Sequence, residues 1–224
     1  VTDAGGTAVA HRCDVTVEAD VESAVAAAVT TYGRLDVMFN NAGVTGMKPG
    51  QMFEDQTAAD FERLTDINFR GVVNGARAAH PWLKASAPGS CLLNTASASA
   101  LYGTAGLALY SATKFAVRGL TEALDTEWLG DGIRVCSIMP SFIDTALLAG
   151  PVNASSNRPK RDIVVKAGLE FTPVEKVAEA AWEAVHGSRI HTLVGPTARR
   201  LALAAKWAPA YMRKRAQGLA LMCC

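Results

Sequence analysis

Apolar residues in this chain come in two rhythms. Short continuous runs alternate with longer stretches in which apolar positions recur every three or four residues. The runs are Gly6 to Cys13, Leu35 to Asn40, Ser90 to Asn94, Ile133 to Met139 and Ile190 to Val194, and each reads as a strand. The periodic stretches are Glu18 to Thr31, roughly Thr57 to Lys84 with Pro81 near its end, Leu107 to Trp128, and Pro173 to His186. These read as helices. Strands alternating with helices of this length predict βαβ units and a parallel sheet. Runs without polar alternation fit strands covered on both faces. The segment from about Ala149 to Lys166 is rich in Pro, Asn and Ser with clustered charges. It reads as a solvated loop or, since it follows the C-terminal end of a strand, as a mobile substrate lid. There is no internal repeat.

Composition narrows the class. At 224 residues and 50% hydrophobic, the chain suits one large domain, or at most two small ones, with a substantial core. A formal net charge of +1 gives no support for a nucleic-acid footprint, which needs a concentrated basic face. No apolar run approaches the roughly 18 residues of a membrane span, and no basic-then-apolar secretory signal is visible. Cys13, Cys91, Cys136, Cys223 and Cys224 are scattered without a Cys-x-x-Cys spacing, which suggests neither a disulfide framework nor a zinc site. Cys13, Cys91 and Cys136 read as small core residues, and a reducing cytoplasm is the expected compartment. His11, His80, His186 and His191 lack metal-ligand spacing, so no metal is expected.

The densest chemistry lies at Tyr110-Ser111-Ala112-Thr113-Lys114, with Ser97 upstream. A tyrosine and a lysine four apart on a helix share one face. A neighbouring ammonium favours the phenolate and is expected to lower the phenol pKa from about 10. Such a phenol can exchange protons with an alcohol or carbonyl. Ser97 follows a strand, at the C-terminal edge where open α/β sheets bind ligands, and Tyr110 starts the next helix near the same edge. Ser99 is a rival for the serine role. Alone, Asn40 and Asn41 read as turn residues, Asn68 as a solvated helical asparagine, and Asp14 as the start signal of the following helix.

These residues recur in a known order: Asp14-Val15, Asn40-Asn41-Ala42-Gly43, Asn68, Ser97, Tyr110 to Lys114, then Pro140-Ser141-Phe142-Ile143-Asp144-Thr145. In this the chain resembles the short-chain dehydrogenase/reductase family over essentially its whole length. The resemblance implies a Rossmann-like doubly wound parallel sheet and an NAD or NADP cofactor. It implies interconversion of a secondary alcohol and a ketone by hydride transfer. Tyr110 would be the general acid/base, Lys114 would act on Tyr110 and on the nicotinamide ribose, Ser97 would hold the substrate oxygen, and Asn68 would keep a water in a proton relay. Asp14, Val15, Asn41, Ala42 and Gly43 would line the adenosine side. Ile143 and Thr145 would meet the nicotinamide side. A homodimer or homotetramer is implied. Ser141 stands where the family usually has glycine.

The family opens with a strand and a Gly-rich turn that Gly5-Gly6 does not match. The expectation is therefore one partial domain over residues 1–224, without its first two strands and helices. Gly6 to Cys13 would then lack a partner strand, and Leu35 to Asn40 would become an exposed apolar edge. The alternative function is a catalytically silent fragment acting as a binding module. Residues 197–224 form a basic and apolar tail, read as a terminal helix on the domain or a subunit interface. The alternative reading is a basic amphipathic helix on an anionic membrane surface. Pro209 argues against one long helix, and an apolar tail near the site suits a lipophilic substrate.

Overall fold

The computed structural model describes residues 1–46, 51–145, 151–153, 156–159, 165 and 169–221. Helix α1 (Glu18–Tyr32) stops at Gly33, whose φ of 80° is open to glycine without a steric penalty. Strand β1 (Val37–Asn40) follows. Helix α2 (Ala58–Thr65) opens on a capping box, in which Thr57 and Asp60 satisfy each other's backbone N–H groups. Helix α3 (Gly71–Ala85), strand β2 (Cys91–Thr95), helix α4 (Ala108–Glu127) and strand β3 (Arg134–Pro140) continue the alternation. After the β4–β5 pair (Pro151–Asn153 and Ser156–Pro159) come α5 (Val174–His186), β6 (His191–Val194), α6 (Pro196–Trp207) and α7 (Pro209–Leu221).

The main sheet runs β1-β2-β3-β6, parallel throughout. Because side chains alternate across a strand, Leu92 and Val135 turn to one face, where Ala79 and Leu83 of α3 cover them. Leu93, Cys136 and Ile138 turn to the other, against Ala184 of α5. The alternation predicts the parallel sheet, and helices on both of its faces make the doubly wound Rossmann-like arrangement that the resemblance implies. Cys91 and Cys136 are buried, whereas Cys13 is only partly so.

One expectation changes. Gly6 to Cys13 is not a strand: it carries no ladder among the described residues, and nearly all of it is exposed. An apolar run has no reason to extend where no neighbour receives its backbone hydrogen bonds. The stretch from Thr57 to Lys84 is helical as expected, unbroken from Ala58 to Ala85, with a π-turn at Asp66–Arg70 joining α2 to α3. The apolar edge is seen: β1 has no outer partner among the described residues, and Val37 and Phe39 are 38% and 41% exposed. The proposed lid, 149–166, lies outside the described residues except for the short antiparallel β4–β5 pair and position 165.

A buried polar chain ties the layers together. Asn40 of β1 donates to the Val72 carbonyl of α3 at 3.3 Å and to Asn94 Oδ1 of β2 at 3.0 Å. Asn94 donates to Thr121 Oγ1 of α4 at 3.0 Å. Gly75 leaves the room: a Cβ there would run into the Asn40 side chain and stand 3.0 Å from Met38 Cε. Gly75→Ala therefore destabilises. The helix-propensity gain of about 1 kcal/mol is outweighed by overpacking at about 1–3 kcal/mol and by loss of the Asn40 bonds, each about 1 kcal/mol. A lower urea midpoint with an unchanged m-value checks it.

Candidate active site

The C-terminal ends of β1, β2 and β3 gather most of the expected site residues. Ser97 lies just past β2 in extended backbone, and its Oγ accepts the Ser99 N–H at 3.1 Å. That leaves the Ser97 O–H free to donate, and it meets the Tyr110 phenol. Ser97 and Tyr110 are therefore brought together, while Ser99 serves by fixing the Ser97 oxygen through its backbone.

Lys114 is buried one turn along α4 from Tyr110. Its Nζ donates to the Thr95 carbonyl at 2.9 Å and lies 5.8 Å from the centre of the Tyr110 ring. One donated bond leaves an ammonium with two further N–H donors. Burial brings the Lys114 pKa down to about 8, since the charged form is the one that loses hydration. The Tyr110 pKa is raised rather than lowered. Desolvation is the larger cause, and the Ser97 hydrogen bond opposes it. The sequence expectation of an ammonium-lowered phenol is not met: loss of water around the phenol raises its pKa, and the group that opposes the rise is Ser97 rather than Lys114.

Asn68 sits within the π-turn and is fully buried. Its Oδ1 accepts the Val44 N–H at 2.8 Å, and its Nδ2 donates to the Val44 carbonyl at 2.9 Å and to Thr113 Oγ1 at 3.2 Å. Thr113 in turn donates to the Tyr110 carbonyl at 2.7 Å. The Asn68 side chain thus clamps the loop after β1 to α4, and every one of its polar hydrogens has a partner. Single π-turns of this kind concentrate at functional sites. A Cβ on Gly43 would lie 3.4 Å from Asn68 Oδ1 and 3.5 Å from Lys114 Nζ, so Gly43 borders both side chains.

The remaining expected residues are more dispersed. Asn41 accepts from Thr95 Oγ1 at 2.8 Å, which joins the β1 and β2 ends. Ala42 and Gly43 are exposed beside it. Val15 is held through its carbonyl by Asn74 at 2.9 Å. Asp14 is exposed and turns its Oδ1 to the Thr16 N–H and hydroxyl at 2.9 and 2.8 Å. Those bonds hold its carboxyl below the usual range. Asp14 thus shapes the turn just ahead of α1, whose N-cap is Val17. Ile143 bridges Thr172, and the Thr145 N–H returns to the Ile143 carbonyl at 2.9 Å. Ser141, the departure from glycine, is accommodated because its hydroxyl donates to the Val194 carbonyl at 3.3 Å. Gly195, with φ 91°, has no space for a Cβ beside it.

Three contributors escaped the sequence reading: Thr113, Thr95 and the Val44 backbone. Thr113 stands three residues after Tyr110, on its helix face, and that spacing was the available signal. Val44 acts through backbone groups that any residue type supplies, and Thr95 through its carbonyl to Lys114 and its hydroxyl to Asn41.

The profile described as short chain dehydrogenase matches residues 1–155. The chain belongs to the short-chain dehydrogenase family. Among relatives of this short-chain dehydrogenase, the mitochondrial borneol dehydrogenase of Lavandula x intermedia is 39% identical over 145 residues, 65% of this chain and 54% of the relative. The 3-alpha-(or 20-beta)-hydroxysteroid dehydrogenase of Mycobacterium tuberculosis is 40% identical over 134 residues, 60% of this chain and 50% of the relative. The chain spans about half the length of these relatives. A crystal structure of 3-ketoacyl-(acyl-carrier-protein) reductase from Brucella melitensis complexed with NADH superposes with a TM-score of 0.73 at 31% identity, covering 87% of this chain and 79% of that one.

Proposed function

We propose that this short-chain dehydrogenase is an NAD- or NADP-dependent oxidoreductase that interconverts a secondary alcohol and a ketone. The observation that carries the reading is the partly buried Tyr110 phenol in hydrogen-bond contact with Ser97, one helical turn from a buried lysine. The dinucleotide suits the donor set. Lys114 offers two N–H donors that fit ribose hydroxyls, and Asn41, Ala42 and Gly43 offer small or polar groups along one strand end. Asp14, Val15, Ile143 and Thr145 would complete the cofactor side. When bound, the nicotinamide takes or gives the hydride at the substrate carbon and, oxidised, carries positive charge.

The chain's own residues handle orientation and the proton. In oxidation, the Tyr110 oxygen accepts the alcohol proton; in reduction it returns a proton to the carbonyl oxygen. The Ser97 hydroxyl, held by the Ser99 N–H, donates to the oxygen that develops charge. Lys114 and Asn68 serve as positioning groups around Gly43, with Asn68 also assigned to the proton relay. Names of the relatives point to alicyclic, lipophilic secondary alcohols as the substrate class. Self-association through the outer faces of α3 and α4, where Trp82 and Phe115 are exposed, belongs to the same reading.

Fluorescence titration with the reduced nicotinamides, followed by absorbance assay of borneol oxidation, tests it. Saturable binding of one nicotinamide and turnover of borneol or a related cyclic alcohol are expected. Absence of saturable binding to the folded chain overturns the proposal.

A further inference from the structure

The helices after β6 carry a charge distribution unlike the rest of the molecule. The chain holds 22 basic and 21 acidic side chains, yet between Pro196 and Leu221 there are six basic residues and no acidic one. These are Arg199, Arg200, Lys206, Arg213, Lys214 and Arg215. Everything before Pro196 is consequently net acidic, and the molecule has a positive end.

Its apolar residues divide by face. Ala198 and Met212 are buried; α6 packs against β6 and against the turn Ala98–Ala100 next to Ser97, and α7 packs against α6. The other face carries Leu203, Trp207 and Tyr211, which are 63%, 74% and 56% exposed. Arg199, Leu203 and Trp207 recur every four residues and so form one stripe along α6. Arg200 and Lys206 flank it, and Lys206 Nζ sits 5.0 Å from the centre of the Trp207 ring. The break at Ala208–Pro209 ends α6 and starts α7. Tyr211 and the exposed Arg213, Lys214 and Arg215 continue the array beyond it.

We propose that the outward face of α6 and α7 docks on an anionic phospholipid surface. Protruding Trp, Tyr and Leu side chains flanked by cations are the composition of a helix lying in a membrane interface, with aromatic rings at headgroup depth and basic groups on phosphates. A nucleic-acid groove has no use for an exposed leucine and tryptophan at the centre of the stripe. A protein partner would have to match both the apolar stripe and the cations around it, of which Arg200 is already met by Glu170 of the same chain at 3.7 Å. The net acidic remainder of the chain orients the molecule with this end toward a negative surface. No helix among the described residues is long and apolar enough to cross a membrane, so the contact is in-plane. It brings the turn beside Ser97 close to lipid.

The test is flotation of the full chain with vesicles of phosphatidylcholine alone, and of phosphatidylcholine with phosphatidylserine at one part in three. Binding to the anionic vesicles only, weakened by added salt, is expected. The exposed triple variant Arg213→Gln, Lys214→Gln, Arg215→Gln should bind on the order of 100-fold more weakly, at about a factor of five per charge. Leu203→Ser with Trp207→Ser should also release the chain, with circular dichroism unchanged in both variants. Equal binding to the two vesicle types, absence of binding to either, or full binding by the triple variant overturns the proposal. So does a concentration-dependent dimer abolished by Trp207→Ser without vesicle binding, or capture by duplex DNA where vesicles fail.

Discussion

Tyr110→Phe slows turnover of the alcohol by about 10²–10⁴-fold, the range for loss of a positioned proton-transfer group. The phenyl ring keeps the packing of the partly buried side chain. Only the Ser97 contact is lost from the fold, at about 1 kcal/mol, so stability and cofactor titration stay near the parent values. The loss appears in kcat with little change in KM, because the phenol oxygen matters most in the transition state. The pH profile carries a second signature. Desolvation raises the Tyr110 pKa, so without a bound cation the phenolate becomes abundant only above the usual value of about 10. Oxidation by the parent should still climb with pH through the mildly alkaline range, and that climb should vanish in the variant. Turnover within about tenfold of the parent would remove Tyr110 from the proton-transfer role.

Much of this architecture was legible in the sequence because burial and chemistry coincide there. Cys91 to Thr95 and Arg134 to Pro140 are central strands with both faces covered, and their mostly apolar, non-alternating composition declares it. Ser97 and Tyr110 meet because the chain's order and the edge rule for open sheets leave few alternatives. What failed depends on neighbours rather than on local pattern. Gly6 to Cys13 has strand-like residues but nothing beside it to complete a ladder. The π-turn at Asp66–Arg70 has no compositional mark, since it arises where Asn68 is drawn to the Val44 backbone and to Thr113. The sign of the Tyr110 shift failed for a similar reason. Spacing places Lys114 one turn away, but only the fold shows its ammonium committed to the Thr95 carbonyl and both side chains removed from water.

Lys114→Met should stabilise the folded chain at pH 7 and destabilise it above pH 10.5. Burial lowers the lysine pKa from 10.5 to about 8, so below pH 8 folding carries the full cost of an ammonium out of water. The shift corresponds to about 3 kcal/mol. Between pH 8 and 10.5 the unfolded chain holds more protons than the folded one, so stability of the parent rises with pH across that window. Above it the lysine is neutral in both states and the cost is gone. Methionine fills similar volume without the charge, but it leaves the Thr95 carbonyl without its donor, which costs back about 1–2 kcal/mol. The variant is then more stable by about 1–2 kcal/mol at pH 7, and the difference reverses sign once the parent lysine is neutral. Urea unfolding at pH 7, 9 and 11 reads the crossover. A variant less stable than the parent at pH 7 would show that the buried ammonium is no burden to the fold. A stabilised variant with weakened nicotinamide binding would mark Lys114 as a charge retained for the site at the expense of the scaffold.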